Sequence, residues 1–247
     1  MKDMSFLKNY LFAHRGLHDN FNNVPENSLL AFEKAMNNNY GIELDIRITK
    51  DNKIVCFHDD NLKRLTNVND LIINYNYEVI SSLNLLNSNE KIPLFSDVLK
   101  LVNGKVPLLI EIKAHKNYQN TLEKFVNMMD LYEGQFAVFS FDPKIVYWFK
   151  KNKPNYIRGQ ITSYFNNNNK MPKIFKYLMR SMFFNKFTKP DFISYNLNYL
   201  PNKYANKALK KGLVVISYTA RNQDDFDKIL NLYDNVVFEN FNPIIKK

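Results

Sequence analysis

Glu43 and Asp45 stand two residues apart in "YGIELDIRI" (residues 40–48), where Ile42, Leu44, Ile46 and Ile48 alternate with Glu43, Asp45 and Arg47. A period of two puts the charged side chains on one face of a β-strand. Glu111 and Lys113 repeat that spacing at the end of "VPLLIEIK" (106–113). Two histidines close extended runs, His14 in "YLFAHRG" and His58 in "KIVCFHDD", and Arg15 adjoins the first. Taken singly, each has a plain reading: an acidic pair facing water, a same-face ion pair, a core histidine. Taken together on buried strands, three carboxylates repel one another and are costly to desolvate unless a cation neutralises them. Oxygen-only donors suit Mg²⁺ or Ca²⁺ better than zinc. An arginine and a lysine beside such an ion point to an anion that the metal also touches, most simply a phosphate. His14 and His58 then supply an acid and a base that titrate near neutral pH.

The elements that must hold these groups follow from period and punctuation. Extended segments are expected at 10–14, 41–48, 53–58, 106–112, 135–140, 156–161, 191–195, 213–218 and 235–238. Helices are expected between most of them, at 28–38, 95–103, 118–131, 143–152, 172–187, 202–211 and 222–233. "PENSLLAF" supplies capping side chains before an amphipathic run, and Asp142 precedes Pro143 at a first helical position. Gly212 follows the 202–211 helix where a terminal glycine belongs. Alternation of this kind over 247 residues predicts an α/β fold with a parallel sheet, and a count near eight strands favours a (β/α)₈ barrel. An open doubly wound sheet is the competing architecture. It lacks support, because no glycine-rich phosphate turn follows any strand and the chain has six glycines in all. Residues 59–94 fit the repeat poorly and read as a small insertion after the second strand, within a single domain spanning 1–247. "FNNNNK" (165–170) reads as a mobile low-complexity loop. In a barrel, functional residues sit at the C-terminal ends of strands, where His14, Arg15, Glu43, Asp45, His58, Glu111 and Lys113 fall.

In order and spacing, "HRG", "PENS", "ELDIR", "HDDNLKRLT" and "IEIK" resemble the glycerophosphodiester phosphodiesterase family, as do "SFDP" (140–143) and the closing stretch "VVISYTARNQDDFDKILNLYDNVVFENFNP". The resemblance implies a TIM barrel with a small insertion and metal-dependent hydrolysis of a glycerophosphodiester to glycerol 3-phosphate and an alcohol. It implies Glu43, Asp45 and Glu111 as ligands of one divalent cation, His14 and His58 as the acid–base pair, and Arg15 and Lys113 as phosphate contacts. Glu26 and Asn27 would lie in a loop over the site, Glu26 among the substrate-binding residues, with helix capping an equal reading for Asn27. Where the family often has Trp in the seventh strand this chain has Tyr218, a residue that would shape the substrate mouth. Lysophospholipase D-type hydrolysis of membrane lipids and a non-catalytic anion- or membrane-binding module on the same fold are the rival readings. His18 is expected in a solvated loop, His115 near the surface and Cys56 in the core.

The apolar fraction of 45% and charged fraction of 23% are those of a globular protein, and no apolar run is long enough to cross a bilayer. The N-terminus does not read as a signal peptide, and a single cysteine suits a reducing compartment, so a cytoplasmic location is expected. The net charge of +10 is local: residues 143–190 hold eleven Lys and Arg and no acid, while the rest of the chain carries 23 bases against 24 acids. Within "PKIFKYLMRSMFFNKF" (172–187), Phe175, Leu178, Met179, Met182 and Phe183 recur at helical spacing among Lys173, Lys176, Arg180 and Lys186. An outer barrel helix packing this stripe on the sheet is one reading; peripheral contact with anionic lipid is the other. Nucleic-acid binding is not expected, since no recognised module accompanies the charge.

Overall fold

The computed structural model describes residues 2–115, 118–166 and 168–245. Its strands are β1 (Phe12–Ala13), β2 (Gly41–Ile48), β3 (Ile54–Cys56), β4 (Leu108–Ile112), β5 (Phe136–Ser140), β6 (Arg158–Thr162), β7 (Phe192–Asn196), β8 (Val214–Ala220) and β9 (Asn235–Phe238). They run in the order β1-β9-β8-β7-β6-β5-β4-β2-β3, and β1 also pairs with β2. Eight parallel strands thus close a ring with helices between them, a (β/α)₈ barrel, and β3 hangs outside it on β2. The chain divides into two compact units, Phe12–Phe136 and the remainder.

In the first unit β1 and β2 are parallel, Phe12 opposite Gly41. Gly41 is required there, since a Cβ would sit 2.7 Å from the Phe12 ring. β2 and β4 are parallel with Asp45 opposite Glu111. β3 departs from the expected pattern: it pairs antiparallel to β2, Ile46 opposite Cys56, and is no barrel stave. The cause is the length of the link. Residues 49–53 are too few for a parallel crossover, which needs about a dozen or more, and Asn52 at φ 61° turns the chain back. From β3 the chain enters the insertion. Leu62, Leu65, Ile72, Ile80, Leu85 and Ile92 pack with Val55 and Phe57 into a small core of its own. Helices Leu29–Asn37, Phe95–Val102 and Tyr118–Met129 complete this unit. Ser28, not Asn27, caps the first of them, its Oγ accepting from the Ala31 N–H at 3.1 Å.

In the second unit β5 to β9 pair in sequence order, all parallel. Asp142 caps helix Pro143–Asn152, accepting from the Lys144 N–H at 2.8 Å. The stretch expected as one helix over 172–187 forms two, Lys173–Arg180 and Asn185–Thr188, broken where Met182 takes φ 56°. Of the Asn-rich loop 165–170, Asn167 lies outside the described residues. Among the described residues no helix is long and apolar enough to cross a membrane.

Candidate active site

Parallel pairing of β2 with β4 aligns three acids. Glu43 and Asp45 share a face of β2, Glu111 lies opposite Asp45, and one oxygen from each lies within 4.8 Å of the others. All three are buried. Burial, with Asp45 and Glu111 alongside, pushes the Glu43 carboxyl well above its ordinary value. Burial also raises Glu111, partly offset by Lys113. Burial would raise Asp45 too, but the Lys113 ammonium and the Arg15 guanidinium outweigh it and hold the group well below the usual carboxylate range. Lys113 Nζ lies 2.8 Å from Asp45 Oδ1 and 2.6 Å from Glu111 Oε1, and Arg15 Nε 3.3 Å from Asp45 Oδ2. Three carboxylates against these two cations leave one negative charge in a water-poor cluster of oxygen donors. That composition fits a hard divalent cation, and adding one would turn the cluster net positive, which suits an anionic ligand.

The segment after β1 wraps over these acids. Arg15 takes a left-handed φ of 55°, which turns its N–H to donate to Glu43 Oε2 at 3.0 Å. Gly16 follows at φ 79°, with a Cβ position only 2.8 Å from the Ala31 backbone. His14 Nε2 lies 3.9 Å from Glu43 Oε2. Asn27 is not a helix cap: its Nδ2 donates to Asp45 Oδ2 at 2.9 Å while its Oδ1 accepts from the Asp45 N–H at 3.1 Å. It fixes the orientation of the central carboxylate.

A second layer of charge was not legible at the level of motifs. Beyond β3, His58 Nδ1 lies 2.6 Å from Asp59 Oδ1, and Arg64 Nε donates to Asp59 Oδ2 at 2.6 Å. Arg64 also forks onto Glu26, NH1 to Oε2 and NH2 to Oε1, both 2.7 Å. Arg15 NH1 donates to Glu26 Oε1 at 2.6 Å. His58, Asp59, Arg64, Glu26 and Arg15 therefore form one chain of charge-assisted contacts ending on Asp45. Burial would raise Glu26, yet Arg64 and Arg15 bring it down to about 2. Arg64 and Asp59 are functional candidates that the motif reading named no role for. Their signal is faint: an acid directly after His58 and a base five residues on, with a partner 38 residues away. Arg47, His58, Arg64 and Lys113 line a cleft of about 600 Å³ beside this chain.

Tyr218 belongs to the second unit, on β8. Its hydroxyl donates to the Thr162 carbonyl at 2.9 Å and its ring stands edge-on to Phe141. His18, expected in solvent, is buried at 8% exposure. His115 is half-buried with Nε2 2.8 Å from Thr121 Oγ1, and Cys56 is a buried free thiol.

Comparison with known proteins gives these positions a family. The chain is similar to the glycerophosphodiester phosphodiesterase of Bacillus altitudinis, at 31% identity over 55% of this chain and 56% of that one. It is similar to glycerophosphodiester phosphodiesterase 1 of Bos taurus at 27% identity, over 86% of this chain and 72% of that one. It spans about half the length of most of the curated relatives it matches. Among solved structures, an Oleispira antarctica phosphodiesterase in complex with the product sn-glycerol-3-phosphate superposes with a TM-score of 0.78 at 19% identity, covering 93% of this chain and 92% of that one. Residues 14–241 match the model of one family, from His14 through the last strand, and on that span the chain belongs to the glycerophosphoryl diester phosphodiesterase family.

Proposed function

We propose that this chain, as one catalytic domain, hydrolyses glycerophosphodiesters to glycerol 3-phosphate and an alcohol. The observation that carries the reading is the buried trio Glu43, Asp45 and Glu111 flanked by Arg15 and Lys113, a cluster left with one uncompensated negative charge. The trio would hold one divalent cation, Mg²⁺ or Ca²⁺. Bound there, it would offset charge that develops on the phosphoryl oxygens. Arg15 binds a phosphoryl oxygen, and Glu26 keeps its guanidinium oriented through the 2.6 Å contact. Lys113 bridges Asp45 and Glu111, offsetting one of their two charges, and faces the phosphate with the rest of its field. Asp59 engages Nδ1 of His58, so proton exchange with substrate falls to Nε2. His14 and His58 divide the two transfers. One takes the proton of the attacking hydroxyl, water or the neighbouring glycerol OH, as its oxygen bonds to phosphorus. The other protonates the departing alkoxide as the P–O bond breaks. The glycerol route passes through a cyclic phosphate that water then opens. Tyr218 contributes to the substrate mouth. A cytoplasmic setting accords with the buried, unbridged Cys56.

A panel of glycerophosphodiesters and lysophospholipids, assayed after chelation and with Mg²⁺ or Ca²⁺ restored, tests the reading. Glycerophosphodiester turnover should vanish with chelator and return with one of the ions. His14→Ala and His58→Ala should each lose roughly 10²–10⁴-fold in turnover. Near-normal turnover in either variant removes the two-histidine mechanism.

A further inference from the structure

The acid-free segment 143–190 should bury an apolar stripe if its helices serve only to cover the barrel. They bury it only in part: Met179 is buried, Leu178 and Met182 are partly covered, and Phe175 and Phe183 lie open, with further apolar groups exposed beside them. In helix Lys173–Arg180 only Met179 is buried, while Ile174 is 67% exposed and Phe175 and Tyr177 are open to solvent. Phe183 and, in helix Asn185–Thr188, Phe187 are exposed as well. These rings are continuous: Phe175 and Phe184 lie 5.8 Å apart between centroids, Phe184 and Phe183 5.7 Å, Phe183 and Phe187 6.2 Å. Cations sit on them. Lys186 Nζ stands 3.7 Å from the Phe183 centroid and 4.7 Å from that of Phe187, and Arg180 lies 5.3 Å from that of Tyr177. The patch extends to the adjoining helix Pro143–Asn152, where Tyr147 is exposed beneath Lys150 and Lys150 Nζ donates to the Phe187 carbonyl. Among the described residues, no carboxylate pairs with Lys173, Lys176, Arg180 or Lys186.

An exposed apolar cluster rimmed by like charge marks a docking surface, and the sign of the charge calls for an anionic partner. Nucleic acid would engage the cations and leave Ile174 and Phe187 in water. An anionic bilayer satisfies both halves at once: aromatic rings settle at the level of the headgroups while lysine and arginine reach the phosphates. We propose that the face built by Lys173–Arg180 and Asn185–Thr188 docks this protein on membranes rich in anionic phospholipid. The proposal is independent of the catalytic reading, since none of its residues belongs to the carboxylate–histidine cluster.

The full chain is sedimented with phosphatidylcholine vesicles and with vesicles in which phosphatidylglycerol is mixed into phosphatidylcholine. Binding is expected only to the second and should weaken as salt rises. The triple variant Lys173→Gln, Lys176→Gln, Arg180→Gln should lower the partition coefficient on the order of 100-fold. Phe175→Ser with Phe187→Ser should weaken vesicle binding at unchanged charge, which separates a bilayer from a plain polyanion. Circular dichroism reads the fold of each variant, so the outcome does not hang on enzymatic activity. Absence of binding to the anionic vesicles overturns the proposal. So does equal partition of the triple variant and the parent chain. Vesicle binding that ignores the two phenylalanines, with DNA bound more tightly than lipid, overturns it in favour of a polyanion site.

Discussion

Glu26→Gln removes one charge from the middle of the chain that links His58 to Asp45 while keeping the side chain's shape. Glu26 is 3% exposed and faces Arg64 at 2.7 Å twice and Arg15 at 2.6 Å. Burial raises its carboxyl, but the two guanidiniums prevail and bring it from 4.5 to about 2. A drop of that size corresponds to about 3 kcal/mol of folding free energy at pH 7. Because the folded-state value is depressed, this stabilisation is complete above the unfolded-state value and drains away as pH falls toward the folded one. By pH 3 about 2 kcal/mol of it has gone. Urea unfolding followed by circular dichroism, at pH 7 and at pH 3, should therefore find the variant less stable by about 3 kcal/mol at the first pH and by about 1 kcal/mol at the second. A stability gap that stays constant between the two pH values would refute the reasoning, since it would mean that the ionised Glu26 gains nothing from Arg15 and Arg64.

Two further outcomes follow from the same geometry. Asn27→Ala deletes both hydrogen bonds to Asp45, so divalent-ion affinity measured by calorimetry should fall 10- to 100-fold, as about expected for a lost supporting contact; unchanged affinity would show that Asn27 serves the loop alone. Gly16→Ala places a methyl group 2.8 Å from the Ala31 backbone at φ +79°, so it should lower stability by more than about 1 kcal/mol, read as a fall in thermal midpoint; an unaltered midpoint would show that the turn relaxes freely.

Some of this molecule lies in local sequence, because some of its physics is local. Strand period puts Glu43 and Asp45 on one face whatever surrounds them, and the helix starts at Ser28 and Asp142 need only backbone within three residues. The antiparallel course of β3 was legible too, since five residues cannot form a parallel crossover.

Other features depend on what the folded chain brings opposite a side chain. Glu26 looks like a loop carboxylate until Arg64, 38 residues on, is turned toward it by the insertion. Asn27 could cap a helix or hold an acid, and the positive φ it adopts decides for the acid. His18 sits among polar residues in sequence and is buried in space. Helical spacing at 172–187 predicts an apolar stripe correctly and says nothing of how far a surface meets it; here Met179 is buried while Phe175 and Phe183 remain in solvent. Sequence by itself determined which side chains share a strand face and where helices begin, because those follow from backbone geometry over a few residues. Tertiary structure alone decided which charges are neutralised and which apolar groups are covered, because desolvation and Coulomb energy depend on neighbours that the chain delivers from far away.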